Sequence, residues 1–353
     1  MQARILKISP EDPEEDKISL AAQVLRDGGL VIIPTETVYG VAADMRSIEA
    51  ITQLYRIKQR PKDKPFSLHI ACKERVEDLA AGLNQTAFKL IDNFWPGPLT
   101  LILPAKNSDK TVGLRMPDNN IALKLIAMVD APLVCPSANL SGKPAPVDFS
   151  EAIKDLGEEV DLAIDGGKAM LGIESTIVDL TQSPYRIQRQ GAIKADQIQR
   201  VADRKNVLFI CTGNSCRSVM AKAYLEKVLS QAGRRDIEVL SAGIMAASNL
   251  GVSIETRRVL EKEGIDVGNH RSRQVTSLML KKSDVIIVME RMHEQKILEL
   301  APEAKTRLFL LKEFVNTNDN SLDIVDPIGH SAGFHEQTFS LIKQGIDHMV
   351  KIL

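Results

Sequence analysis

The chain has 353 residues, two to three times an ordinary domain, so two domains are expected. Hydrophobic residues at 44% and charged residues at 26% exclude a disordered, collagen-like or low-complexity chain. Lys+Arg 45 against Asp+Glu 46, with aromatics at 4%, gives no basic stripe for duplex nucleic acid.

The opening MQARILKISPEDPEEDK lacks the apolar stretch of a secretory signal. The longest apolar runs, LTLILP and VIIVM, fall far short of the ~20 residues of a membrane helix. Four cysteines, Cys72, Cys135, Cys211 and Cys216, are too few for a disulfide scaffold. A cytoplasmic protein without a membrane partner is the expectation. In chain order, GLVIIP, PLTLILP, APLVCP and STIVDL read as strands of the first half, and SIEAITQLYRIKQ as a helix. NVLFI, IEVLSA, SDVIIVM and TRLFLL read as strands of the second half. VMAKAYLEKVLSQA, IETRRVLEKEG and FSLIKQGIDHMVKIL read as its helices. This alternation predicts α/β architecture in both halves. The polar stretch AIKADQIQRVADRKN marks the boundary, giving domains 1–203 and 204–353.

Polar clusters in the first half fall where strands are expected to end. They are Pro34-Thr-Glu-Thr-Val-Tyr-Gly40, Lys58-Gln-Arg60-Pro-Lys-Asp-Lys64-Pro65 with His69 beyond, Val112-Gly-Leu-Arg115, Pro136-Ser137-Ala-Asn139, Ser175-Thr176 and Arg189. A run holding Lys58, Arg60, Lys62 and Lys64 is most often a solvated face. Here Pro61 and Pro65 stiffen it, and small polar residues recur nearby, which suits a triphosphate. Neither a P-loop nor a Rossmann glycine fingerprint is present.

These segments, from about residue 15 to 195, resemble the YrdC-like family of threonylcarbamoyl-adenylate synthases. The family's Lys-x-Arg…Ser-x-Asn signature falls on Lys58, Arg60, Ser137 and Asn139. The resemblance implies a twisted mixed sheet with helices and a reaction of L-threonine, bicarbonate and ATP, with Mg²⁺, to threonylcarbamoyl-AMP and pyrophosphate. It implies that Thr35, His69, Arg115 and Ser175 line the threonine pocket. Lys58, Arg60, Lys64, Thr111, Ser137, Asn139 and Arg189 would meet ATP. The product would reach tRNA only indirectly, through a separate transferase complex that modifies adenosine 37. His69 alone would read as a packing residue. An alternative reading is a nucleotide- or RNA-binding module without synthase activity, against which the neutral charge and scarce aromatics argue.

In the second half, VLFI-Cys211-Thr-Gly-Asn-Ser-Cys-Arg217-Ser218 passes from a buried strand through a glycine-containing loop into a helix. Backbone N–H groups converging at a helix N-terminus bind a phosphate dianion, and Arg217 adds a fork for two of its oxygens. That field is expected to lower the pKa of Cys211, so that its thiolate attacks phosphorus. Asp326, held by Pro327, is the candidate acid for the leaving group. Residues 205–353 resemble the low-molecular-weight protein tyrosine phosphatases, including the bacterial protein-arginine phosphatases. The motifs carrying the likeness are Cys211 to Ser218, Ser241-Ala-Gly243, GIDVGNHRSR with His270, and Asp326-Pro327. The resemblance implies a Rossmann-like parallel sheet flanked by helices, with Asn214, Ser218 and His270 holding the phosphate loop. It also implies a phosphorylated protein as substrate, and Cys216 as a redox partner for Cys211 or simply a small packing residue. Ser215 stands where animal members carry a bulky aliphatic residue and arginine phosphatases carry threonine, so it leaves the phosphotyrosine or phosphoarginine choice open. A phosphoprotein-binding module is the alternative. No metal ligand set and no tightly bound cofactor are expected.

Overall fold

The computed structural model describes residues 2–353 apart from 62, 317, 318 and 320. Lys62 of the basic run therefore lies outside the described residues. The chain divides into two compact units, one of residues 1–83 and 89–201, the other of 84–88 and 202–353.

The first unit is built on a ten-stranded mixed sheet. Its strands are β1 (Arg4–Lys7), β2 (Val31–Ile33), β3 (Gly40–Asp44), β4 (Ser67–His69), β5 (Leu99–Pro104), β6 (Thr111–Arg115), β7 (Leu133–Val134), β8 (Leu162–Asp165), β9 (Thr176–Asp179) and β10 (Arg186–Arg189). They lie in the order β1-β8-β2-β3-β7-β4-β6-β5-β9-β10. The half around β2 is buried on both faces, and its alternate residues feed two cores. Val31 and Ile33 pack with the helices Glu15–Arg26 and Asn120–Val129, while Leu30 and Ile32 pack with Ile48–Ile57 and Phe149–Leu156. Three of these helices are started by side-chain caps: Ser47, Asn119 and Asp148 each accept the backbone N–H three residues on.

The polar clusters do not all fall at strand ends. Pro34 to Tyr39 form the loop between the antiparallel β2 and β3, but Ser67–His69, Thr111–Arg115 and Arg186–Arg189 are strands themselves. They are short and half polar because one face meets the core and the other lines a cleft.

The second unit carries a four-stranded parallel sheet of β11 (Lys205–Cys211), β12 (Ile237–Gly243), β13 (Val285–Val288) and β14 (Leu308–Leu310), ordered β12-β11-β13-β14. β11 is apolar because the sheet is covered on both sides: Val207 and Phe209 enter one core, Leu208 and Ile210 the other. The chain winds from β11 to one neighbour and then crosses to the other, so the strand order reverses at β11. In open parallel sheets, ligands bind at the carboxyl ends of strands at such a reversal. Cys211 is the last residue of β11.

Candidate active sites

A cavity of about 320 Å³ lies in the first unit. Its floor follows from strand periodicity: Ser67 and His69 of β4, Thr111, Gly113 and Arg115 of β6, Thr100 and Ile102 of β5, and Ser175 and Ile177 at β9 are all two residues apart and line it together. Their neighbours Leu101, Leu103 and Leu114 are buried. His69 and Arg115 are direct register partners. Thr35, Lys58, Arg60, Ser137 and Arg189 complete the wall. Two predicted residues lie off it. Asn139 sits behind Ser137, and Lys64 is exposed, its carbonyl held by Arg60 Nε at 2.7 Å.

Arg115 is 5% exposed. Its Nη2 donates to Thr37 Oγ1 at 2.8 Å and pairs with the buried Glu36 carboxylate at 2.7 Å. Nη1 has no hydrogen-bond partner among the described residues. Burial, and then the Arg115 charge, push His69 well below the ordinary imidazole range, and among the described residues its buried Nδ1 has no partner. Ser175 Oγ meets Thr100 Oγ1 at 2.9 Å and Arg189 Nη2 at 3.1 Å, and Arg189 also grips the Ser175 carbonyl and Glu174.

Lys58 is turned to an unexpected use. Its ammonium donates to the carbonyls of Ser137 and Asn139 and to Asn139 Oδ1, which also accepts from Ser137 Oγ at 2.6 Å. Three donors meet three acceptors, so Lys58 shapes the Ser-x-Asn turn and delivers charge behind it. Burial and the neighbouring Arg60 push its pKa down to about 8. The turn runs along the Tyr39–Val41 backbone. A Cβ on Gly40 would meet Cys135 Sγ at 2.5 Å, so only glycine permits this approach. Glu36, Thr37, Thr100 and Glu174 were not singled out from sequence. Glu36 and Thr37 lie within the Pro34–Gly40 cluster, Glu174 within the polar segment GIESTIVD and Thr100 within the strand PLTLILP, so each sits inside a segment the sequence marks without being marked itself.

In the second unit, the loop from Cys211 to Arg217 joins β11 to the helix Arg217–Gln231. Asn214 is its hub. At φ 53° it occupies the left-handed region. Its Nδ2 donates to Ser218 Oγ and Ser241 Oγ, each at 3.0 Å, while its Oδ1 accepts from Arg273 N at 3.0 Å. His270 Nε2 donates to the Asn214 carbonyl at 2.8 Å. Because Ser218 Oγ accepts from Asn214, its own hydrogen is free for Cys211 Sγ, 3.0 Å away.

Arg217 is 1% exposed. Nη1 meets Glu290 at 2.7 Å and the Ile324 carbonyl at 2.8 Å, and Nη2 meets Asp326 and Thr212 Oγ1. Among the described residues its buried Nε has no hydrogen-bond partner. The expected lowering of the Cys211 pKa is not what the chain's own groups produce. Burial pushes the thiol above its ordinary value, against the opposing hydrogen bond from Ser218 and the Arg217 charge. Ser215 is half-buried, and the Cys216 thiol donates to Ser253 Oγ at 3.2 Å; both Cys211 and Cys216 are free thiols. Among the described residues there is no group of three potential metal ligands, and no helix is long and apolar enough to cross a membrane.

A mixed-sheet cleft lined by cations and small hydroxyls, and a cysteine loop at a helix N-terminus in a parallel sheet, define a chain of two α/β domains. Residues 23–191 match the family described as Telomere recombination (Sua5_yciO_yrdC), and residues 206–353 match Low molecular weight phosphotyrosine protein phosphatase. The chain is 38% identical over 200 residues to a putative threonylcarbamoyl-AMP synthase of Mycobacterium leprae, covering 54% of this chain and 90% of that one. It is 41% identical over 196 residues to the threonylcarbamoyl-AMP synthase of Pyrococcus abyssi, covering 53% of this chain. A solved double-alanine variant of P. abyssi Sua5 superposes with a TM-score of 0.53 at 29% identity, covering 80% of this chain and 99% of that one. The chain belongs to the threonylcarbamoyl-AMP synthase family and carries a low-molecular-weight phosphatase domain after the synthase domain. It spans 58% of the length of the P. abyssi relative.

Proposed function

We propose that the protein is a bifunctional enzyme. The first unit makes threonylcarbamoyl-AMP and pyrophosphate from L-threonine, bicarbonate and ATP. The second hydrolyses a phosphorylated side chain, phosphotyrosine or phosphoarginine, through a cysteinyl-phosphate. The synthase reading is carried by the convergence of every predicted residue except Lys64 and Asn139 on one cavity. Arg115, fixed by Glu36 and Thr37, turns its remaining Nη1 donor to the threonine carboxylate. Neutral His69 adds a polar contact there without a second charge, and Ser175, oriented by Arg189 and Thr100, takes the amino acid's polar groups. Arg60 and the Ser137 turn, with the Lys58 charge behind it, face the α-phosphate and the departing pyrophosphate, where negative charge develops. Mg²⁺ would enter with ATP as part of the substrate. Catalysis is then mostly positioning and charge neutralisation.

In the phosphatase, a phosphoryl group seated in the loop would take the free Nε–H of Arg217. It would compete with Asp326 for the same guanidinium, freeing the carboxylate to take a proton from solvent and pass it to the leaving atom. The Ser218 hydroxyl and the loop amides stabilise the thiolate that burial alone disfavours. Pyrophosphate release that requires both threonine and bicarbonate tests the first activity and rejects a purely nucleic-acid-binding role. Hydrolysis of phosphotyrosine and phosphoarginine peptides, measured side by side, tests the second and rejects a mere phosphoprotein-binding module.

A further inference from the structure

His293 is part of neither the phosphate loop nor the acid loop, yet it is fully buried, on the helix Arg291–Leu300, with its ring against Thr212. Its tautomer follows from its partners. The backbone N–H of Glu290 donates to Nδ1 at 3.1 Å, and a peptide N–H can only donate, so Nδ1 carries no proton. The neutral ring must then hold its hydrogen on Nε2, which lies 3.0 Å from Thr212 Oγ1. Burial keeps the ring neutral, pushing its pKa down to about 4.

Thr212 Oγ1 therefore accepts from His293 Nε2, and it accepts a second time from Arg217 Nη2 at 3.2 Å. Both lone pairs are engaged, which leaves the hydroxyl hydrogen as a pure donor. Among the described residues it has no acceptor. Thr212 is half-buried and is the residue next to Cys211 in the loop.

We infer that His293 is a positioning residue of the phosphatase. Acting through Thr212, it fixes the threonine hydroxyl as a donor aimed into the phosphate loop, where it serves an oxygen of the phosphoryl group in transfer. The inference rests on the phosphatase reading above. It adds a side-chain donor to the backbone amides of the loop, and it makes the pair His293–Thr212 one functional unit.

The test uses the full chain and p-nitrophenyl phosphate. Thr212→Val is expected to lower kcat about tenfold with KM within about twofold, the pattern of a contact made mainly in the transition state. His293→Leu is expected to do the same, and the double variant to be no slower than the worse single one, because both remove the same donor. Thr212→Ser restores the rate. Losses that multiply in the double variant, or full turnover in Thr212→Val, would overturn the inference. Should His293→Leu fail to fold, the Val and Ser variants of Thr212 still decide, together with ¹⁵N spectra of histidine-labelled protein. Those spectra are expected to place the His293 hydrogen on Nε2 near pH 7, and a hydrogen on Nδ1 would also overturn it. Absence of turnover by the wild-type chain, with the tautomer as stated, would instead sink the phosphatase reading itself.

Discussion

Lys58 ties the synthase reading to a pH dependence whose sign can be worked out. Folding lowers its pKa from 10.5 to about 8, chiefly by burial. Between these values the unfolded chain holds the proton more tightly than the folded one, so through this group stability rises with pH from about 8 to about 10.5. Catalysis should move the other way. A neutral amine keeps two of its three hydrogens, so one of the oxygens of Ser137 and Asn139 loses its donor. A buried acceptor left unpaired costs about 1–3 kcal/mol. If the turn holds its productive shape only with all three bonds, the rate drops roughly five- to a hundredfold, and the charge near the α-phosphate is lost as well. Pyrophosphate release measured from about pH 6.5 to about 9.5 is therefore expected to fall with a midpoint near 8, while the melting temperature does not fall with it. Lys58→Arg, which stays cationic throughout, should run more slowly but lack this limb. An unchanged limb in Lys58→Arg, or a wild-type rate flat to the alkaline end, would refute the assignment of that proton to Lys58.

Cys211→Ser should abolish phosphatase turnover and leave pyrophosphate release intact, since the serine hydroxyl stays protonated; residual hydrolysis at wild-type rates would remove Cys211 from the nucleophile role. Arg60→Ala should slow adenylate formation by about 10²-fold or more, as expected for a lost cation at the reacting phosphates, with phosphatase rates unchanged in the same sample. It also strips the guanidinium from the Phe66 ring and from the Lys64 and Pro65 carbonyls, so wild-type synthesis would place ATP elsewhere. Ser215→Ile should raise the preference for phosphotyrosine over phosphoarginine peptides by removing a hydroxyl and filling space beside Asn214; an unchanged ratio would move the determinant to the loop after Asp326.

Apolar strands were legible because their covering is. NVLFI, SDVIIVM and TRLFLL are buried on both faces, and a run of β-branched and aromatic residues has no other stable use. Of the strands that line the cleft, β5, β9 and β10 read as strands from PLTLILP, STIVDL and YRIQRQG, but β4 and β6 do not. β4 and β6 are three and five residues long and give alternate positions to Ser67, His69, Thr111 and Arg115. That pattern weakens both the apolar run and the clean alternation that sequence reading depends on. The residues were found through their polarity and assigned to strand ends. Functional demand on one face of a short strand erased the signal of the strand itself.

The two sites also differ in what they ask of the chain. The cysteine loop is contiguous: from Cys211 to Ser218 the sequence names in order the residues proposed as nucleophile, hub, cation and thiolate partner, and local geometry does the rest. Its hidden members are those that arrive from elsewhere, Glu290 and His293 from the helix after β13, because their role depends on a tautomer and a cap that no spacing encodes. The synthase cleft has no such core. It takes His69 and Arg115 from register partners 46 residues apart and fixes Lys58 against acceptors 79 and 81 residues away. Each of these residues alone reads as packing or solvation. Their meaning rests on sheet order, which brings β4, β6, β5 and β9 side by side. A site assembled this way tolerates little shift in strand register. A one-residue slip of β6 against β4 would turn Arg115 from the cleft to the core and put the apolar Leu114 in its place, next to His69. The buried Glu36 then matters to the fold: paired with Arg115, it makes the wrong register cost an uncompensated buried carboxylate.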